Sequence, residues 1–270
     1  VRYIAQGTLW KMGNMFQLSE ELYDTKEKKV VWSDRWEESW DNLQSIKGSL
    51  SDGLLKALDT TSKVEKKVET NNTEAYEFYL KAKHKYKKRE NTDDTEIARG
   101  LLQKAIELDN NLISAKNLLG VTYREMGDYD KAMNIYTPAL KQAEELGDKR
   151  EMGFSLNNIA MVYYYKGDYD KALDYHERSL AIREELDDKR GIAASLHNIG
   201  IVYANKGDYE KVLDYYERSL TIFDALGYKS GMGVNLNNIG HVYFDKGDYE
   251  KALDYYERSL AIQDKIGEKC

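Results

Sequence analysis

One short phrase, repeated at a spacing of 40 residues, constrains the fold of this chain more than any other feature. Gly127-Asp128-Tyr129-Asp130-Lys131 returns at Gly167 to Lys171, at Gly207 to Lys211 and at Gly247 to Lys251. A second phrase, Glu177-Arg178-Ser179-Leu180, returns at Glu217 to Leu220 and at Glu257 to Leu260. Self-similarity at such a period means a stack of like units, each burying its apolar face against its neighbours.

Each unit reads as two helices. Leu236, Ile239, Gly240 and Tyr243 form a stripe at helical spacing, matched by Leu196, Ile199, Gly200 and Tyr203. Gly247 ends that helix, because glycine enters the left-handed conformation of the C-terminal cap without a Cβ penalty. Asp248 stands where its carboxylate accepts amide hydrogens of the next helix. Ala252, Tyr256 and Leu260 supply the inward stripe of the second helix, and the small Gly240 and Ala252 let the pair approach closely. Gly147 and Gly227 mark turns into the following unit.

The pattern Leu-x-x-Ile-Gly-x-x-Tyr, Gly-Asp-Tyr, Ala-x-x-x-Tyr resembles the tetratricopeptide repeat, in the extended 40-residue form of kinesin light chains and Leu-Gly-Asn-repeat scaffolds. The resemblance covers four units, about residues 111–269, and implies a right-handed superhelix of helical hairpins that holds proteins or peptides. A fifth, divergent unit is expected before them, with helices over 73–89 and 94–108. The array then occupies 73–270, after a linker at 63–72.

Residues 1–62 follow a different rule. Phe16, Leu18 and Leu22 alternate with polar residues, as do Val30, Trp32 and Trp36, which is strand periodicity. Gly13-Asn14 and Asp24-Thr25 supply turns, and Leu43, Ile46, Leu50, Leu54 and Leu58 fit one helix face. The expectation is a small α+β unit: three antiparallel strands and a covering helix. Ile4-Ala5-Gln6-Gly7-Thr8, Val31-Trp32-Ser33-Asp34-Arg35-Trp36 and Thr73 to Leu80 resemble a module related to the amino-terminal domain of TolB. In bacterial signalling proteins that module links an output domain, such as a class III nucleotide cyclase, to a tetratricopeptide array. The resemblance implies a piece of a longer signalling protein.

The chemistry-bearing signatures are missing. There is no phosphate loop, dinucleotide fingerprint, His-Glu-x-x-His or nucleophile elbow, so neither an enzyme nor a cofactor is expected. The 47 acidic residues outnumber 40 basic ones, for a net charge of −7, which disfavours general nucleic-acid binding. No apolar run reaches the ~18 residues of a membrane span, and the one cysteine, Cys270, cannot form an intrachain disulfide. These features fit a cytoplasmic chain. His176 takes the place of Tyr216 and Tyr256 and reads as a packing residue. His197 and His241 lack a third ligand for a metal.

The remaining candidates follow from the stack itself, whose first helices line a concave surface. Asn117, Asn157, His197 and Asn237 occupy equivalent places there. Val121, Met161, Ile201 and His241 lie one turn later, and Arg124, Tyr164, Ala204 and Phe244 almost another. An amide offers both a donor and an acceptor to an extended peptide, and the kinesin-light-chain resemblance implies such an asparagine ladder. Alternatively the ladder satisfies neighbouring backbone. The adjacent Asn158, Asn198 and Asn238 are expected to tie hairpins together, Tyr123, Tyr163, Tyr203 and Tyr243 to be core, and Tyr164, Tyr165 and Phe244 to anchor apolar ligand side chains. The basic run Lys81 to Arg89 is a solvated face or receives an acidic segment. The groove positions lack the cations of a carboxylate clamp, so chaperone-tail binding is disfavoured. Because Gly267 to Cys270 repeats an inter-unit turn, either more repeats follow or the last hairpin packs on a second copy, as a homodimer.

Overall fold

The computed structural model describes residues 3–12, 15–24, 29–39 and 70–267. They divide into two units, Val1–Ala115 and Lys116–Cys270. In the first, strands β1 (Tyr3–Met12), β2 (Met15–Asp24) and β3 (Lys29–Ser39) pair antiparallel in that order, with an irregularity at Leu22/Tyr23. The expected turn Gly13-Asn14, residue Thr25 and the helix from Leu43 lie outside the described residues. Helices α1 (Thr73–Lys87) and α2 (Thr92–Leu108) pack as a hairpin. Asn72 caps α1 and its amide donates to Leu108 O at 2.9 Å, closing the hairpin at its open end.

Eight more helices follow: α3 (Ile113–Glu125), α4 (Tyr129–Glu145), α5 (Lys149–Tyr165), α6 (Tyr169–Glu185), α7 (Lys189–Lys206), α8 (Tyr209–Ala225), α9 (Lys229–Asp245) and α10 (Tyr249–Gly267). Odd-numbered helices open each hairpin and even-numbered ones close it. Each pair from α5·α6 onward packs internally, and α4·α5, α6·α7 and α8·α9 join successive hairpins into a solenoid. Between the paired helices, glycines 127, 167, 207 and 247 take φ near +80°, and the following aspartate accepts an amide hydrogen from the residue three later. The same device serves between hairpins, with two departures. Asp187 takes φ +51° where Gly147 and Gly227 stand elsewhere, and Tyr228 opens α9 without a side-chain cap.

Close approach within a hairpin is set by a glycine against a tyrosine. A Cβ on Gly120, Gly200 or Gly240 would lie 2.3, 2.6 or 2.7 Å from the ring of Tyr136, Tyr216 or Tyr256. The α5·α6 hairpin replaces both partners together, with Ala160 in the glycine position and His176 in the tyrosine position. Imidazole is smaller than phenol and leaves room for the methyl group. Ser179, Ser219 and Ser259 each donate to a carbonyl of the preceding helix, Gly153 O, Ala193 O and Gly233 O, all at 2.8 Å. Those buried hydroxyls satisfy themselves on backbone and fix the axial register of the pair.

Tyr163, Tyr203 and Tyr243 lie at the margin of the expected core, packed against it. They are half-buried and stack on Tyr175, Tyr215 and Tyr255 at 5.4 to 5.5 Å. Lys171, Lys211 and Lys251 lie over their outer faces. The stack shields ring surface between the two helices of one hairpin.

Candidate functional site

The expected groove residues all sit on α3, α5, α7 and α9, and two of them, His197 and His241, touch the tyrosines of the glycine–tyrosine contact. The amide row is largely engaged between hairpins. Asn117 is buried, donates to Glu151 Oε2 at 2.8 Å and accepts from Ser155 Oγ at 2.9 Å. Asn157 is half-buried and accepts from Asn198 Nδ2 at 3.0 Å. His197 lies 2.6 Å from Asn235 Oδ1 through Nδ1 and rests on the Tyr216 ring. Asn235 donates its own amide to Ser219, so its oxygen accepts and the neutral imidazole carries its proton on Nδ1. Desolvation holds His197 below the ordinary histidine range, with the Asn235 hydrogen bond opposing it. The Asn157 amide NH2 and the whole Asn237 side chain make no hydrogen bond among the described residues.

The neighbouring row behaves as ties. Arg124 Nη1 donates to the buried Asn158 at 3.0 Å, and Asn198 is the donor to Asn157. Arg124 is thereby bound to the next hairpin, with its charge held beside Glu125. The two histidines do not meet on a common ligand: His241 is exposed, and its Nδ1 faces the Tyr256 hydroxyl at 3.1 Å. Among the described residues no group of three metal-ligating side chains forms.

The apolar positions form the larger surface. Met161, Ile201 and Ala204 are half-buried, and Tyr164 accepts from Asn205 at 3.0 Å. Burial pushes the Tyr164 phenol up, against that hydrogen bond. Phe244 is 53% and Tyr165 51% exposed. Sequence reasoning missed two further members, Phe154 and Val234, 48% and 47% exposed on the second turns of α5 and α9. Their signal was available: they share the 40-residue frame and lie three residues before Asn157 and Asn237. It also missed an aromatic rim contributed by the second helices. Tyr129 stacks on Tyr165 at 5.7 Å, Tyr169 leans on Tyr164 at 5.9 Å, and Tyr249 meets Phe244 edge-on at 5.4 Å. The tyrosine of Gly-Asp-Tyr therefore braces the groove aromatics as well as opening its helix.

The charged rim neutralises itself. Lys166 reaches back to Asp130 at 2.6 Å and Lys206 to Asp170 at 2.5 Å, one hairpin apart. Exposed pairs of this kind contribute little stability, but they leave the groove without a dominant sign of charge. What remains is an aromatic and aliphatic surface with a few free amide groups. Such a surface offers apolar contact area with a few amide donors and acceptors beside it.

Comparison with known proteins bears on the fold. The tetratricopeptide repeat profile matches residues 111–185, 151–225 and 191–265. A comparison with curated sequences gives no match. Solved structures share the fold at low identity. BtubC from P. vanneervenii superposes with a TM-score of 0.63 at 21% identity, over 85% of this chain and 93% of that one. A Rap protein complexed with competence and sporulation factor gives 0.61 at 20%, over 78% and 58%. A signal-transduction ATPase with numerous domains and a tetratricopeptide repeat sensor, from Pyrococcus horikoshii, gives 0.63 at 20%, over 83% and 34%.

Proposed function

Since the chain belongs to the tetratricopeptide repeat family, we propose that residues 116–267 are a non-catalytic scaffold that holds a protein or peptide segment in the concave groove of α3, α5, α7 and α9. One observation carries this reading: Phe154, Tyr165, Val234 and Phe244 expose about half their surface on the helices that line the groove. Exposed apolar groups clustered on one face mark an interaction surface. Asn157, Asn237 and His241 supply polar contacts, Met161, Ile201 and Tyr164 the floor, and Arg124 closes one end. Asn117 and His197 act from behind, holding adjacent hairpins in register. The Rap protein solved with a bound factor supports the binding role, and the repeat-sensor ATPase supports a place in signalling.

The residues before the array fit the same picture. The resemblance of residues 1–62 to a TolB-related module, with 63–72 as linker, makes the parent protein a cytoplasmic signalling protein with an output domain such as a nucleotide cyclase; residues 40–69 lie outside the described residues. A second reading, self-association that aligns such domains, rests on Leu253 and Leu260 of α10, each 58% exposed. In the preceding hairpin the equivalent Leu213 and Leu220 pack beside Ile239 and Val242 of the helix that follows.

Site-specific photo-crosslinking tests the groove directly. A benzophenone side chain at Ile201 captures a partner segment, whereas the same group at Arg178, on the opposite helix layer, does not. Equal capture at both places overturns the groove reading, and capture of the chain by itself from either place favours self-association.

A further inference from the structure

The repeats differ in one place where a difference opens space. In the α5·α6 hairpin, Lys149 at the start of α5 donates to Glu185 at the end of α6 at 2.7 Å, tying the hairpin's open ends together. The equivalent pair in the α7·α8 hairpin is Lys189 and Ala225. Without a carboxylate opposite it, Lys189 turns to Asp187 at 2.5 Å. A cavity of about 660 Å³ lies there. Its apolar lining is Ile192 and Leu196 from α7 with Ile222, Ala225 and Leu226 from α8 and its cap. None of these residues belongs to the groove.

The rim charges are unequal in their partners. Arg218 is held by Asp214 at 3.2 Å and lies over the Tyr215 ring, and the Thr221 hydroxyl donates to Glu217 O. Lys189 is paired with Asp187. Glu184 lines the same cavity and makes no ion pair among the described residues. An apolar hollow is thus bordered by one uncompensated carboxylate.

We propose that this cavity binds a small hydrophobic amine, its apolar body against Ile192, Leu196, Ile222 and Leu226 and its ammonium group on Glu184. The volume lies within the ~300–1,000 Å³ of small-molecule sites. A cation on an apolar body matches both features of the lining, whereas an anion meets Glu184 with nothing free to receive it.

Phenethylammonium is a suitable probe, titrated near neutral pH into the full chain carrying labelled isoleucine and leucine methyl groups. Expected are saturable shifts of Ile192, Ile222 and Leu226, with a Kd of about 1 mM, while Ile159 and Ile239 stay fixed. Phenethyl alcohol and 3-phenylpropionate bind roughly tenfold more weakly or not at all. Ala225→Glu restores the tie to Lys189 seen at Lys149–Glu185. It removes the shifts while leaving the rest of the spectrum intact, so loss of binding is separable from loss of fold. Glu184→Gln, at an exposed position, weakens the amine and leaves the alcohol unchanged. Absence of saturable shifts in the unmodified chain overturns the proposal, as does equal binding of the carboxylate or an undiminished response in Ala225→Glu.

Discussion

His176 should make the array sensitive to acid in a way that its tyrosine-bearing hairpins are not. Its ring is fully buried in α6, and neither nitrogen has a hydrogen-bond partner. Burial, with a smaller contribution from the nearby Arg183 guanidinium, lowers its pKa from 6.5 to about 3. The unfolded chain therefore takes up a proton as pH falls through 6.5, while the folded chain stays neutral until about 3. Stability contributed by the neutral ring is complete above 6.5 and is lost progressively between 6.5 and 3. At about pH 5 the loss is about 2 kcal/mol, from 1.36 kcal/mol per unit of displaced titration. The informative variant is Ala160→Gly with His176→Tyr, which copies the Gly200/Tyr216 pair and avoids driving a phenol into the Ala160 methyl. Denaturant midpoints of both proteins, at neutral pH and at about pH 5, cancel the carboxylates common to the two. The natural chain is expected to lose about 2 kcal/mol more than the variant on acidification. Equal losses would refute the assignment of a buried neutral imidazole.

Other perturbations follow from the same contacts. Gly200→Ala places a methyl 2.6 Å from the Tyr216 ring and should destabilise by about 1–3 kcal/mol; adding Tyr216→His should recover much of that in thermal melts. Ser219→Ala leaves the Asn235 amide and the Ala193 carbonyl without their bridge, at a cost of about 1–3 kcal/mol by chemical denaturation. Because the rim ions pair with each other, partner affinity should fall less than about threefold between roughly 50 mM and 500 mM salt. A loss of several orders of magnitude in calorimetric titrations would point to charge-driven binding instead.

The helices were legible in the sequence because the residues that end and begin them are repeated. Gly-Asp at each hairpin turn states a left-handed cap followed by a helix start, and even the divergent first hairpin was readable to within two residues. Thr92 begins α2 two residues ahead of expectation because the Asn91 side chain accepts from Asp94 N. The site was only partly legible. A 40-residue frame places Asn117 and Asn157 on the same face, but Ser155 and Glu151 of the next hairpin decide that Asn117 is buried while the Asn157 amide stays free. Stripe periodicity could not show that Tyr163 and Tyr175 would stack in a half-buried layer, since each belongs to a different helix. The cavity beside Glu184 was invisible to consensus reading, because it arises where one copy has Ala225 in place of the glutamate at Glu185.

The central claim is that the exposed apolar residues of the α5–α9 face carry partner binding. Its most direct test is the affinity of a segment captured by the Ile201 crosslinker for the Tyr165→Ala/Phe244→Ala variant, with Leu253→Ala as a control outside the groove. The account predicts a loss of about 2 kcal/mol or more for the groove variant, roughly thirtyfold, and little change for the control. Unchanged affinity in the groove variant, with the same helical content, would contradict it.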